Sequence, residues 1–131
     1  MPQGIWNKID KIKLCEKCNS IFKVNQSHQL FCSKKCQISR KMKRWNKNLR
    51  DEILQHYSDS LPKCKKCGYN NIMCLEIDHI NNKGGEQRKK LNLHSGQQFY
   101  QWLKKNNFPK GYQVLCKNCN WLKWREICSK R

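Results

Sequence analysis

From Cys36 to Tyr57 the apolar positions Ile38, Met42, Trp45, Leu49 and Ile53 recur every three or four residues, with no glycine or proline among them. That period predicts an amphipathic helix, and Asp59-Ser60-Leu61-Pro62 predicts its end. Ile72 to Ile80 is denser in apolar residues and reads as a strand, entered from Gly68 to Asn71 and closed by a loop over Asn81 to Gly85. Ser95 with Gln98 three residues later fits a capping box, ahead of Phe99, Trp102 and Leu103 at helical spacing. Asn106 to Pro109 should stop that helix. Tyr112 to Leu115 reads as a second short strand, and Asn120 to about Ile127 as a terminal helix that Trp121 and Trp124 pack onto the sheet. Upstream, Leu14 to Cys36 is a compact segment with Ile21-Phe22 and Leu30-Phe31 as its apolar filling, and the polar stretch Lys23 to Gln29, with His28 on its surface, as a hairpin tip.

The chain has 131 residues, of which only 37% are apolar, too few for one large core. Other cross-links must help it fold, and ten cysteines are the candidates. No apolar run approaches the roughly 20 residues that span a bilayer, and the first residues lack a signal-peptide core. An intracellular, non-membrane setting is therefore expected, in which paired cysteines mean zinc rather than disulfides.

The cysteine spacing supports this. Cys15-x2-Cys18 and Cys32-x3-Cys36 form one set; Cys64-x2-Cys67 and Cys116-x2-Cys119 form a second. Each short-spaced pair presents two thiolates to one ion, and two pairs close a tetrahedral structural site. Cys74 and Cys128 are left to fill small apolar sites. The expected organisation is a basic tail (1–12), a four-cysteine zinc finger (13–37), a basic amphipathic helix (38–60) and a second zinc module (61–131).

The formal charge of +19 calls for a polyanionic partner. Ser33 to Arg50 holds eight basic residues and no acidic one. Arg40, Lys41, Lys43, Arg44 and Lys47, on the polar faces of the predicted helix, are candidate DNA-phosphate contacts, with RNA an open alternative.

The second zinc module carries the candidate chemistry. One ion joining Cys64 and Cys67 to Cys116 and Cys119 would bring Asp78 near Asn120, forty-two positions away. A carboxylate and an amide carbonyl are hard oxygen ligands suited to Mg2+. His79, beside the Asp, is a candidate general base for an attacking water. A helix opening at Asn120 would offer backbone N–H groups to phosphate, and Lys123, Arg88, Lys89 and Lys90 are candidate contacts to neighbouring phosphates.

These segments, a C-x2-C, Asp78-His79-Ile80-Asn81, and Leu115-Cys116-x2-Cys119-Asn120-x2-Lys123, resemble the HNH endonucleases over Leu61 to Cys128, about half the chain. The resemblance implies small zinc-stabilised α+β modules with a ββα-metal nuclease domain. It implies His79 as general base, Asp78 and Asn120 as Mg2+ ligands, a zinc that is structural only, and hydrolysis leaving 5′-phosphate and 3′-hydroxyl ends. The position matching the family's central Asn is Gly111, which has no side chain, so Asn107 or a backbone carbonyl would have to orient His79. The first finger is similar to short treble-clef fingers that bind nucleic acid. A non-cleaving zinc-finger nucleic-acid-binding protein is the alternative, and cutting both strands would require a homodimer or two sequential nicks.

Overall fold

A computed structural model describes residues 11–131, so most of the tail expected over 1–12 lies outside the described residues. The chain divides into two compact units, Met1–Trp45 and Asn46–Arg131, each holding one two-stranded antiparallel sheet and one cysteine quartet. The division falls inside a helix, between Trp45 and Asn46. Among the described residues no helix is long and apolar enough to cross a membrane.

In the first unit β1 (Ile12–Leu14) pairs with β2 (Ile21–Lys23), Leu14 opposite Ile21. Strands of three residues cannot enclose much. Ile12, Leu14, Ile21 and Leu30 are exposed, and the buried residues are Cys15 and Val24. Sulfur therefore occupies the interior expected for Ile21 and Leu30, while Val24, within the stretch read as a polar tip, is buried. Helix α1 (Lys34–Tyr57) begins two residues before the start of the helical pattern at Cys36, with the Ser33 hydroxyl accepting from the Cys36 amide at 3.3 Å. Its apolar stripe divides in two: Ile38, Met42 and Trp45 are about half exposed, whereas Leu49 and Ile53 are buried.

The second unit is built on β3 (Leu75–His79) and β4 (Tyr112–Cys116), paired antiparallel with Leu75 opposite Cys116 and His79 opposite Tyr112. A 3-10 turn over Ile72–Cys74 leads into β3, so the strand is shorter than Ile72 to Ile80. Arg50 ties α1 to this junction, its Nη2 donating to the carbonyls of Ile72 and Leu75 at 2.7 Å each. One apolar cluster joins Leu54 to Leu75, Val114, Leu115 and the second quartet's Cys64, Cys116 and Cys119. The other joins Leu49 and Ile53 to Phe99 and Leu103 of α3 (Gly96–Lys105). The capping box forms as expected, Ser95 Oγ accepting from Gln98 N at 3.2 Å while Gln98 Oε1 accepts from Ser95 N.

Two helices differ from expectation. The stretch read as a loop turns at Gly84 into α2 (Gly84–Lys90), a seven-residue helix without a side-chain cap. The terminal helix α4 (Lys117–Ser129) opens three residues before Asn120, because the Cys116 sulfur acts as its N-cap and accepts from Cys119 N at 3.4 Å. On α4, Trp121 and Trp124 are 58% and 56% exposed rather than packed on the sheet. The Arg125 guanidinium lies 5.5 Å over the Trp121 ring, a cation–π contact that suits an exposed indole. Cys128 is exposed and Cys74 half-buried, so neither fills a closed apolar site.

Leu54 is fully buried between α1 and the sulfur-lined cluster. Leu54→Ala should cost about 2–5 kcal/mol in denaturant unfolding. Ile38→Ala, at a half-exposed position of the same helix, should stay within about 0.5 kcal/mol of the parent.

Candidate active site

The sulfur atoms of Cys15, Cys18, Cys32 and Cys36 lie within 4.8 Å of one another, as do those of Cys64, Cys67, Cys116 and Cys119. Where resolved individually, the separations are 3.6 Å for Cys18–Cys32, and 3.7 Å for both Cys32–Cys36 and Cys67–Cys116. Zn–S bonds of about 2.3 Å in a tetrahedron place sulfurs about 3.8 Å apart, whereas a disulfide needs about 2.05 Å. Both quartets thus have the dimensions of a tetrahedral thiolate site.

Their acidities point the same way. Burial pushes the Cys15 thiol up, but backbone N–H groups of Cys32, Cys18 and Lys17 together hold it down, at about 6. In the second quartet burial likewise opposes the N–H groups of Cys116, Cys67 and Lys66, which hold Cys64 at about 6. Burial and the neighbouring sulfurs of Cys116, Cys67 and Cys64 push Cys119 up to about 12. Four sulfurs this close cannot all ionise without a cation, and a divalent metal removes that conflict.

The second quartet pins the end of β4 and the start of α4 against the turn before β3. Asn120 is the fourth residue of α4 and Lys123 lies almost one turn further on the same stripe, so both face the strand pair. Asp78, His79, Asn120 and Lys123 line one cavity of about 480 Å3, together with Gly84, Arg88, Phe99 and Trp124.

Within it the carboxylate of Asp78 accepts on Oδ2 from Lys123 Nζ at 2.5 Å and from Gln113 Nε2 at 2.7 Å. Lys123 also donates to the His79 carbonyl at 2.7 Å. This ion pair is largely buried, with the two side chains 20% and 11% exposed. Asn120 does not bond to Asp78. Its Nδ2 donates at 3.0 Å to Oε2 of Glu76, which shares a strand face with Asp78. Asp78 Oδ1 takes neither of those bonds and Asn120 Oδ1 is the amide's remaining polar atom, so two hard oxygens remain for a cation. That donor set fits a small divalent ion that keeps several waters.

His79 is gripped on several sides. Its ring stacks on Phe99 with centroids 5.2 Å apart and meets the edge of Tyr112 at 4.9 Å. Nε2 lies 2.5 Å from Gln87 Oε1, and Gln87 Nε2 donates to the Tyr112 hydroxyl at 2.6 Å. On the other edge a Cβ at Gly84 would stand 2.9 Å from Nδ1. Gln87 escaped the sequence reading because eight residues separate it from His79 in no motif. Asn107 donates its N–H to the Lys104 carbonyl rather than bonding the ring, and the Gly111 carbonyl accepts from Ile80 N at 3.0 Å.

The other candidate contacts disperse. Arg40, Lys41, Lys43, Arg44 and Lys47 are exposed along α1. Arg88 lines the cavity with Asp78, whereas Lys90 lines a second cleft of about 380 Å3 on the Gln87 side of His79, with Lys83, Lys110 and Trp102. Lys89 is exposed on α2 and lines neither. The N–H groups left free at the start of α4 belong to residues beside the quartet, not to Asn120, so a phosphate site opening at Asn120 is not formed. In comparisons with protein-family models, curated proteins and solved structures, nothing matches the chain.

Metal analysis of the purified chain should find two zinc ions. Cys18→Ser and Cys67→Ser should each reduce this to one, and a strong chelator should abolish cooperative unfolding of the second unit. Unchanged zinc in either variant would contradict the assigned quartets.

Proposed function

We propose that the second unit is an HNH-type, Mg2+-dependent DNA endonuclease module, and that the first finger and the basic part of α1 bind the DNA. The observation that carries this reading is the meeting of Asp78, His79, Asn120 and Lys123 in one cavity. A phosphodiester hydrolase needs a base for water, oxygens for a dication, and cations for the phosphates around the cut.

Asp78 and Asn120 would hold the ion through Oδ1 atoms, with Lys123 leaving Asp78 Oδ2 for a phosphate oxygen. The Mg2+ would supply neutralisation of charge growing on the phosphorus and on the leaving 3′-oxygen. His79 accepts the proton of the attacking water at a ring nitrogen. The stack on Phe99 and the edge of Tyr112 keep the imidazole from turning away. Lys123 and Arg88 line the same cavity as His79 and would bind flanking phosphates. The exposed cations of α1 would contribute sequence-independent, salt-sensitive grip. One such module cuts one strand, so linear product would require a homodimer or sequential nicks.

The Lys123–Asp78 ion pair favours a second reading. If that ammonium satisfies the carboxylate permanently, the chain binds nucleic acid through zinc-stabilised modules without cutting it. Supercoiled plasmid decides between the two. Zinc-loaded protein should convert it to nicked form with Mg2+ and not with EDTA, and His79→Ala should lower the rate about 10^2- to 10^4-fold while still binding plasmid. Salt-sensitive binding without cleavage in any divalent metal would favour the second reading.

Gly84 offers an independent check. Gly84→Ala should slow cleavage at least about 10-fold, because a clamped ring cannot retreat from the new methyl. Zinc content and plasmid affinity should not change, and a full cleavage rate would contradict the geometry given to the His79 ring.

A further inference from the structure

The grip on His79 is not symmetric about the ring. Phe99 and Tyr112 hold its face and edge through aromatic contact, which restricts tilt but does not choose between the two nitrogens. Gln87 does choose. Its carbonyl oxygen lies 2.5 Å from His79 Nε2, and its amide nitrogen donates to the Tyr112 hydroxyl at 2.6 Å. The Tyr112 hydroxyl also donates to that oxygen at 2.9 Å, which holds the amide beside the ring. With that carbonyl oxygen toward the ring, Nε2 is the donor, and a neutral ring then has its lone pair on Nδ1.

The same helix shapes the other edge of the ring. Gly84 and Gln87 are three residues apart on α2 and share a face, so α2 straddles the imidazole. Gln87 holds Nε2, and Gly84, lacking a Cβ, leaves room at Nδ1. A side chain at position 111 is thus unnecessary for aiming the ring, and the Gly111 carbonyl is engaged with Ile80 N.

We infer that Gln87 is the positioning residue for His79, fixing the Nε2–H tautomer so that the Nδ1 lone pair faces the cavity shared with Asp78 and Asn120. The inference rests on the nuclease reading for its catalytic consequence, but its structural content can be measured without catalysis. The test uses full-length, zinc-loaded, Mg2+-free protein at pH 8.5, about two units above the ordinary imidazole pKa. Imidazole 15N NMR reports the tautomer, with His79 assigned by its loss in His79→Ala. Wild-type protein should show a single Nε2–H tautomer. Gln87→Leu should give a mixture and slow plasmid cleavage by about 10- to 100-fold, with zinc content and plasmid binding in EDTA unchanged. Gln87→Glu retains an acceptor, and should restore the tautomer and bring the rate to within about 10-fold of wild type.

An Nδ1–H tautomer in the wild type would overturn the inference, as would Gln87→Leu with the wild-type tautomer and rate. Should Gln87→Leu lose its zinc, the wild-type and Gln87→Glu tautomers decide. If no protein cuts but the tautomer still follows residue 87, the positioning role holds and the nuclease reading falls.

Discussion

Four sulfur atoms set the registration of everything around the cavity. Cys64 and Cys67 precede the turn into β3, while Cys116 ends β4 and Cys119 lies in the first turn of α4. Gathered within 4.8 Å, they oppose one another's ionisation, a conflict that a bound divalent cation would remove. A structural zinc contributes about 10–16 kcal/mol, as much as the whole net stability of an ordinary domain. Few of the described side chains are fully buried, so zinc in the quartets would contribute more to the fold than its apolar clusters do.

The consequence for the site is geometric. Because the Cys116 sulfur caps α4, the phase of that helix is fixed at its first residue. Asn120 and Lys123 stand four and seven positions after Cys116, on one stripe, and that stripe meets the strand face carrying Glu76 and Asp78. A one-residue shift in the cap would rotate both side chains by about 100° and dissolve the cluster. His79 lies on the opposite strand face from Asp78, and needs its own supports from α2, α3 and β4. The cysteine clasp and the aromatic and amide grip are thus two separate devices acting on adjacent residues.

Features set by local chemistry were legible in the sequence. The quartets followed from spacing, α3 from its Ser95–Gln98 box, and the strand pair from apolar runs flanking the cysteines. Features set by tertiary contact were not. Helix α2 opens with two glycines and ends in Arg88, Lys89 and Lys90, a composition that reads as loop, and the bond from Gln87 to His79 draws it against the sheet. The start of α4 was misplaced because its cap is a cysteine sulfur, a role that propensity assigns to Ser, Thr, Asp or Asn. Periodicity marked the α1 stripe correctly but not which half is covered, since nothing in the pattern separates Leu49 and Ile53 from Ile38, Met42 and Trp45. Proximity of Asp78 to α4 was legible, whereas its pairing with Lys123, and of Asn120 with Glu76, depends on helix phase.

The central claim is that the clasp assembles a divalent-cation site from Asp78 and Asn120 beside His79. Crystals of zinc-loaded protein soaked in Mn2+, with anomalous data collected at the zinc and manganese edges, test it most directly. The account predicts two zinc peaks within the quartets and one manganese peak between the Asp78 and Asn120 side chains, with Lys123 drawn off Asp78. Zinc in both quartets, no manganese in the cavity and Lys123 still paired with Asp78 would contradict it.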